Sequence, residues 1–198
     1  MRVFGLTGGI ASGKSTVSRY LHKLGAAIVD ADRAAHALAM PFQPLWEAYR
    51  EHFGEKVLLP DGTLDRRAIA RAVFHDTEER AWMNKVSHPM ILKRMEEELE
   101  ECRASGSQVA FLDVPLLYEV GWESAAEAVW VVYVPGPVQL ARLMARDGCD
   151  EEAAMARISS QMSMEEKRGR ADIVIDNSGK WEDTETQVKD AWRRMQGG

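Results

Sequence analysis

Eight consecutive residues near the start of the chain, Gly8-Gly9-Ile10-Ala11-Ser12-Gly13-Lys14-Ser15, fit the pattern G-x-x-x-x-G-K-[ST] in full. Each residue type has a physical reason to be there. Gly8 and Gly13 allow backbone torsions and a close approach that a Cβ would block. Successive N–H groups then turn into one concavity, reinforced by the helix that begins there, and can cradle phosphate oxygens. Lys14 can neutralise charge on β- and γ-phosphates, and the Ser15 hydroxyl can ligate Mg²⁺. The bland alternative is a structural glycine turn. A strand predicted before the motif and a helix predicted after it favour the cradle.

Other residues with chemical potential stand further along. Asp113 ends an apolar run, where a phosphate-binding fold of this kind holds an acidic residue near Mg²⁺, although a turn former before Pro115 would look the same. Asp30 and Asp32 close a second short strand. Carboxyl ends of parallel strands share one edge, so either carboxylate could orient an attacking hydroxyl and receive its proton, and either could instead cap the following helix. Arg142 and Arg146 are four apart on one predicted helix and can meet phosphate oxygens as charge develops. Arg157, Lys167, Arg168 and Arg170 add positive charge that reads as a mobile basic flap or as a solvated helix. The five histidines show no metal spacing; His88 stands out only for preceding Pro89. Met155, Met162 and Met164 read as packing residues.

These groups need a scaffold, and the apolar pattern supplies one. Val3–Thr7, Ala27–Val29, Val109–Asp113, Val129–Val134 and Ile173–Ile175 read as five short strands, and the near-continuous apolar runs at Val109–Asp113 and Val129–Val134 suit strands covered on both faces. Helical spacing follows Ser15 (Val17, Tyr20, Leu21, Leu24) and Pro137, and a last helix is predicted near Trp181–Met195. Between about 33 and 105 almost everything reads as helix. Pro44 opens one, Asp65 caps another, Asp76 with Glu79 caps a third, and Pro89 is expected to start a long helix with the stripe Ile91, Leu92, Met95, Leu99 and Cys102. The expectation is an α/β fold with a five-stranded parallel sheet, interrupted by a helical insertion after strand two and a charged helical excursion after strand four.

Composition sets outer limits. The 198 residues suit one compact domain with an insertion, and 45% hydrophobic with 28% charged residues is globular usage. A net charge of -6 argues against non-specific binding to nucleic acid or to an anionic membrane. Only Cys102 and Cys149 are present, which excludes a disulfide framework and fits a reducing compartment. No run resembles a signal peptide or a membrane span, so a soluble cytoplasmic protein is expected. The oligomeric state is left open.

With those residues placed, the sequence resembles the dephospho-coenzyme A kinase family over nearly its whole length. The carrying segments are Gly5–Ile10 running into Gly13-Lys14-Ser15, then Asp30-Ala31-Asp32, Val86-Ser87-His88-Pro89 and Asp113–Glu119. The helix with Arg142 and Arg146, Arg157 with Gln161, and Ile175-Asp176-Asn177 complete the set. The resemblance implies a nucleotide-binding core (1–31, 106–146, 170–198), a helical substrate-binding insertion (32–105) and a helical lid (147–169) that moves on binding. It implies transfer of the ATP γ-phosphoryl to the ribose 3′-hydroxyl of dephospho-CoA, with Mg²⁺ as cofactor. Residues 8–16 (Gly8, Gly9, Ile10, Ala11, Ser12, Gly13, Lys14, Ser15 and Thr16) would hold ATP, with Asn177 near the adenine. Asp32 would be the base or hydroxyl-positioning residue, and Lys14, Arg142 and Arg146 would stabilise the transition state. Asp32, His88, Asp113, Pro115, Leu116, Leu117 and Glu119 would lie where the acceptor binds, with Ser15 and Asp113 toward the metal.

Two other classes are weaker. A GTPase-type switch needs Asp-x-x-Gly after strand three, where this chain has Asp113-Val114-Pro115-Leu116, and Asn-Lys-x-Asp, which the Asn84-Lys85-Val86-Ser87 stretch does not supply. A nucleotide-binding module without catalysis would have no need of Asp32. A nucleoside or nucleotide kinase is the serious runner-up.

Overall fold

The computed structural model describes residues 1–74 and 76–196, so His75 and the last two glycines lie outside the described residues. The chain divides into two compact units, Met1–Ile28 with Cys102–Gly198, and Val29–Glu101.

The first unit is built on a parallel sheet. Its strands are β1 (Arg2–Thr7), β2 (Ala27–Asp30), β3 (Val109–Asp113), β4 (Val129–Tyr133) and β5 (Ile173–Asp176), in the order β2-β3-β1-β4-β5. Every residue of β3 and β4 is buried, which is why their sequences are unbroken runs of apolar side chains rather than alternating ones. Phe111 and Trp130 meet edge-on with ring centroids 5.2 Å apart, and Phe4 lies 5.5 Å from Phe111. Helices α1 (Lys14–Lys23) and α9 (Trp181–Gln196) add Val17, Leu21, Val188 and Trp192 to the same core. The register is what matters for chemistry: Leu6 pairs with Asp113, so the chain after β1 and the chain after β3 leave the sheet side by side at one edge. Three further helices, α6 (Gly136–Asp147), α7 (Glu151–Ser159) and α8 (Met164–Arg170), follow β4.

The second unit is helical: α2 (Ala31–Leu38), α3 (Pro44–Phe53), α4 (Arg66–Phe74) and α5 (Thr77–Ala104). Pro44 sits in the first turn of α3. The Asp65 carboxylate accepts from the N–H groups of Arg67 and Ala68 at 2.9 and 3.0 Å, and Asp76 does the same for Glu78 and Glu79. One expectation is corrected. Pro89 does not start a helix; it lies inside α5, which runs unbroken for 28 residues. An interior proline costs about 3 kcal/mol through its missing N–H and ring clash. Packing offsets that here, because Trp82, Met83, Val86 and Met90, on both sides of the proline, bury against Leu45, Tyr49, Phe53 and Ile69. Among the described residues no helix is long and apolar enough to cross a membrane.

Candidate active site

β1 delivers the chain into the loop at residues 8–13 with Thr7, Gly8 and Gly9 buried. Gly13 then takes a left-handed conformation, φ 87°, at the N-cap of α1. No side chain among the described residues caps that helix; the Thr16 N–H is taken by the Gly13 carbonyl at 2.9 Å, and the Lys14 and Ser15 amides are left for an anionic ligand. Ala11 also has positive φ, 60°, an uncommon setting for a residue with a Cβ. The loop is therefore held from outside, and side chains do the holding. Gln139 donates Nε2–H to the Ile10 carbonyl at 2.9 Å, and the Ile10 N–H donates to Gln161 Oε1 at 2.9 Å. The Gly9 N–H donates to the Met164 sulfur at 3.1 Å. Asn177 donates Nδ2–H to the Ser12 carbonyl at 2.8 Å, while its own Oδ1 accepts from Thr184 at 2.9 Å. Both ends of the Asn177 amide are thus engaged inside the protein, bracing the loop. Ser12 Oγ is buried with no partner among the described residues.

The loop's glycines answer to space as well as torsion. A Cβ at Gly8 would lie 2.6 Å from Ser12 Oγ and 2.8 Å from the Val132 carbonyl oxygen. The latter belongs to a fully buried strand that cannot retreat. Gly8→Ala should therefore destabilise the fold by about 1–3 kcal/mol, as overpacking does, and weaken nucleotide binding together with it. Thermal melting and a nucleotide titration of the variant check this.

Lys14 does not point into solvent. Its ammonium forms an ion pair with Oδ1 of Asp113, whose carboxylate is almost wholly buried at the end of β3. Ser15, exposed in the first turn of α1, and Asp113 offer hard oxygen donors of the kind Mg²⁺ takes. Among the described residues no three His, Cys, Asp or Glu converge as a metal cage. An ion held by one or two protein oxygens and completed by substrate phosphates is the habit of Mg²⁺ in phosphoryl transfer, so this donor set fits it.

The segment after β3 forms a turn fixed at both ends. The Pro115 carbonyl accepts from Thr7 Oγ1 and from Lys167 Nζ, each at 3.0 Å. Glu119 accepts from Lys167 at 2.8 Å through one oxygen and from the Met162 N–H at 2.9 Å through the other. Val114, Leu117 and Tyr118 are buried, whereas Leu116 is 38% exposed.

On α6, Arg142 is half-buried and its side chain has no hydrogen bond or ion pair among the described residues. Arg146 grips its neighbour Asp147 through Nε and Nη2 at 2.7 and 3.0 Å, and Arg157 reaches the same carboxylate at 2.6 Å. That contact with Arg146 holds the Asp147 carboxyl below the usual range. The basic-flap expectation is corrected in its most telling member. Lys167 is fully buried, with burial pushing its pKa down against the pull of Glu119. Arg168 lies over the Tyr133 ring at 4.8 Å, and Arg170 lies over Tyr118 at 4.3 Å while pairing with Glu123.

The second unit separates the two aspartates. Asp30 is a helix cap, accepting from the N–H groups of Asp32 and Arg33 at 2.8 and 3.1 Å. Asp32 stands in the first turn of α2 and lines a cavity of about 760 Å³. The rest of that lining is mostly apolar, including Leu45, Ile69, Val73 and Met83, with His36 and Arg66 as its other polar side chains of note. His88, on α5, is outside that lining and half-buried, and desolvation holds its pKa below the ordinary histidine value. Gln139 and Thr184, which sequence reasoning did not single out, and Gln161, which entered only through the family resemblance, are uncharged and come from distant elements; Met164 read as packing alone.

Comparison with known proteins places this arrangement. Residues 2–183 match the dephospho-CoA kinase family. A dephospho-CoA kinase from Symbiobacterium thermophilum is 48% identical over 198 residues, covering 100% of this chain and 83% of that one. One from Carboxydothermus hydrogenoformans is 46% identical, covering 94% and 90%. Among solved structures, TT1252 from Thermus thermophilus superposes with a TM-score of 0.84 at 37% identity, covering 98% of this chain and 97% of that one. Dephospho-CoA kinase from Campylobacter jejuni gives 0.67 at 26% identity over 100% and 98%. A shikimate kinase from Bacteroides thetaiotaomicron, 16% identical with a TM-score of 0.51, shares the fold.

Proposed function

The chain belongs to the dephospho-CoA kinase family, and from that premise we propose how its residues divide the work of moving the ATP γ-phosphoryl onto the ribose 3′-hydroxyl of dephospho-CoA, the last step of coenzyme A synthesis. The family match across residues 2–183, on a chain whose phosphate loop is intact, carries the reading.

Phosphoryl transfer asks a protein for position and charge more than for covalent chemistry. The backbone of residues 8–16 takes the ATP phosphates. Lys14 exchanges Asp113 for phosphate oxygens, remaining near both, and so neutralises charge that grows during transfer. Arg142, whose side chain is unpaired among the described residues, meets the transferring group; Arg146 joins it by releasing Asp147. Ser15 and Asp113 are the residues that would hold Mg²⁺, which supplies charge neutralisation on the β- and γ-phosphates when bound. Asp32 orients the acceptor hydroxyl and receives its proton late, and the apolar lining of its cavity suits the uncharged stretch of the acceptor. Of residues 147–169, those before Gln161 move as the lid, since Gln161 through Lys167 are tied to the phosphate loop and to the turn at 115–119, and transfer to water is suppressed only when closure excludes it. The working compartment is the cytoplasm.

The test is mass spectrometry of reactions holding the protein, Mg²⁺, ATP and one acceptor each: dephospho-CoA, adenosine or AMP. A single phosphoryl gained by dephospho-CoA alone, at the ribose 3′ position, is the expected result. Transfer to adenosine or AMP in its place would keep a kinase and discard this acceptor. No transfer in any tube despite ATP binding would leave a nucleotide-binding module.

A further inference from the structure

A fully buried lysine is unusual, because an ammonium loses its hydration and must recover it from protein oxygens. Lys167 recovers it from two places on one turn. Nζ donates to the Pro115 carbonyl at 3.0 Å and to Glu119 Oε2 at 2.8 Å. Those two residues flank Leu116, the large apolar side chain of this turn left 38% exposed while Val114, Leu117 and Tyr118 are buried. The turn leaves the sheet beside the phosphate loop, since Asp113 pairs with Leu6, and Thr7 from β1 shares the Pro115 carbonyl. One helical turn back from Lys167, Met164 accepts from Gly9 N–H, and Gln161 just before the helix accepts from Ile10 N–H. Residues 161–167 thus tie the phosphate loop and the turn at 115–119 to one short segment.

We propose that Lys167 is a positioning residue for the acceptor: it staples the turn at 115–119 so that Leu116 is presented beside the phosphate loop at a fixed height. Glu119, with both carboxylate oxygens engaged by Lys167 and Met162, serves as the far end of the staple rather than as a ligand of the substrate. The inference rests on the kinase reading above, which supplies the acceptor that Leu116 would meet. Because the phosphate loop has its own braces from Gln139 and Asn177, loosening the turn should disturb the acceptor and spare ATP.

The experiment uses Lys167→Met, which keeps the aliphatic stem, and Glu119→Gln, which keeps size and the contact with Met162. Each is assayed for KM of both substrates at saturating co-substrate, with thermal melting alongside. The expected result is a rise of about tenfold in KM for dephospho-CoA, the scale of one charge-assisted hydrogen bond, with KM for ATP within about twofold. The double variant should show much less than the product of the two single effects, because both remove one contact. Equal rises in both KM values, or a lower melting temperature with both KM values unmoved, would overturn the proposal and leave a structural brace. If Lys167→Met does not fold, the KM split in Glu119→Gln decides alone. A parent chain that fails to phosphorylate dephospho-CoA would overturn the kinase reading and this inference with it; a working parent with unmoved variants overturns this inference only.

Discussion

Asp32→Asn is expected to lower turnover by roughly 10²–10⁴-fold while leaving ATP affinity within about twofold of the parent chain. The substitution removes the proton acceptor and keeps the side chain's size and most of its hydrogen-bonding, so the cavity it lines should persist. ATP affinity is spared because the phosphates are held by backbone amides and Lys14, none of which depends on this carboxylate. Asp30 makes the natural control. It is the same residue type two positions earlier, yet its carboxylate is committed to the N–H groups of Asp32 and Arg33. Asp30→Asn should cost at most about 1 kcal/mol, since asparagine caps nearly as well, and leave the chemistry in place. Steady-state kinetics with isothermal titration of ATP separates the cases. Unchanged turnover in Asp32→Asn would take Asp32 out of the mechanism, and equal loss in both variants would mean that only the helix start matters.

That contrast also shows what the sequence makes legible. The phosphate loop can be read directly, because its pattern is local: eight adjacent residues, with a strand on one side and a helix on the other. The five strands can be read for the same reason, each being a short apolar run, and in β3 and β4 burial on two faces is written into the composition. The cap at Asp30 and the cavity-lining position of Asp32 could not be separated, since both sit at a strand end and both are good N-caps; only the geometry shows which one the helix uses. The braces on the loop were beyond reach for a different reason. Met164, Gln161 and Gln139 lie 155, 151 and 129 positions from the backbone groups they hold, and nothing about an isolated glutamine announces an obligation that distant. Lys167 misled outright. In the run Glu165-Glu166-Lys167-Arg168 it reads as a solvated face, but a seven-residue helix packed on a sheet has one face that must go in, and spacing from Met164 puts Lys167 on it. Pro89 misled because an interior proline is penalised locally while the packing that overrides it is tertiary.

Lys14→Ala should be the most damaging single change, through two losses that can be separated. The first is catalytic: with the ammonium gone, charge on the β- and γ-phosphates loses its nearest protein cation. ATP affinity falls, and turnover drops by at least the roughly 10²–10³-fold seen when one preorganised electrostatic contact is removed. The second is structural. Asp113 is 2% exposed and paired with Lys14, so the substitution leaves a buried carboxylate without its partner. Removing one member of a buried pair costs about 3–5 kcal/mol when nothing replaces it. Lys14→Ala combined with Asp113→Asn should regain much of the lost melting temperature, because the unpaired charge is gone, while turnover stays at the level of the single variant or below it. Recovery of turnover along with stability would mean that Lys14 serves the fold alone. A single variant that melts like the parent and still loses ATP would mean that Asp113 finds other partners and that the pair seen here is only where the lysine rests between substrates.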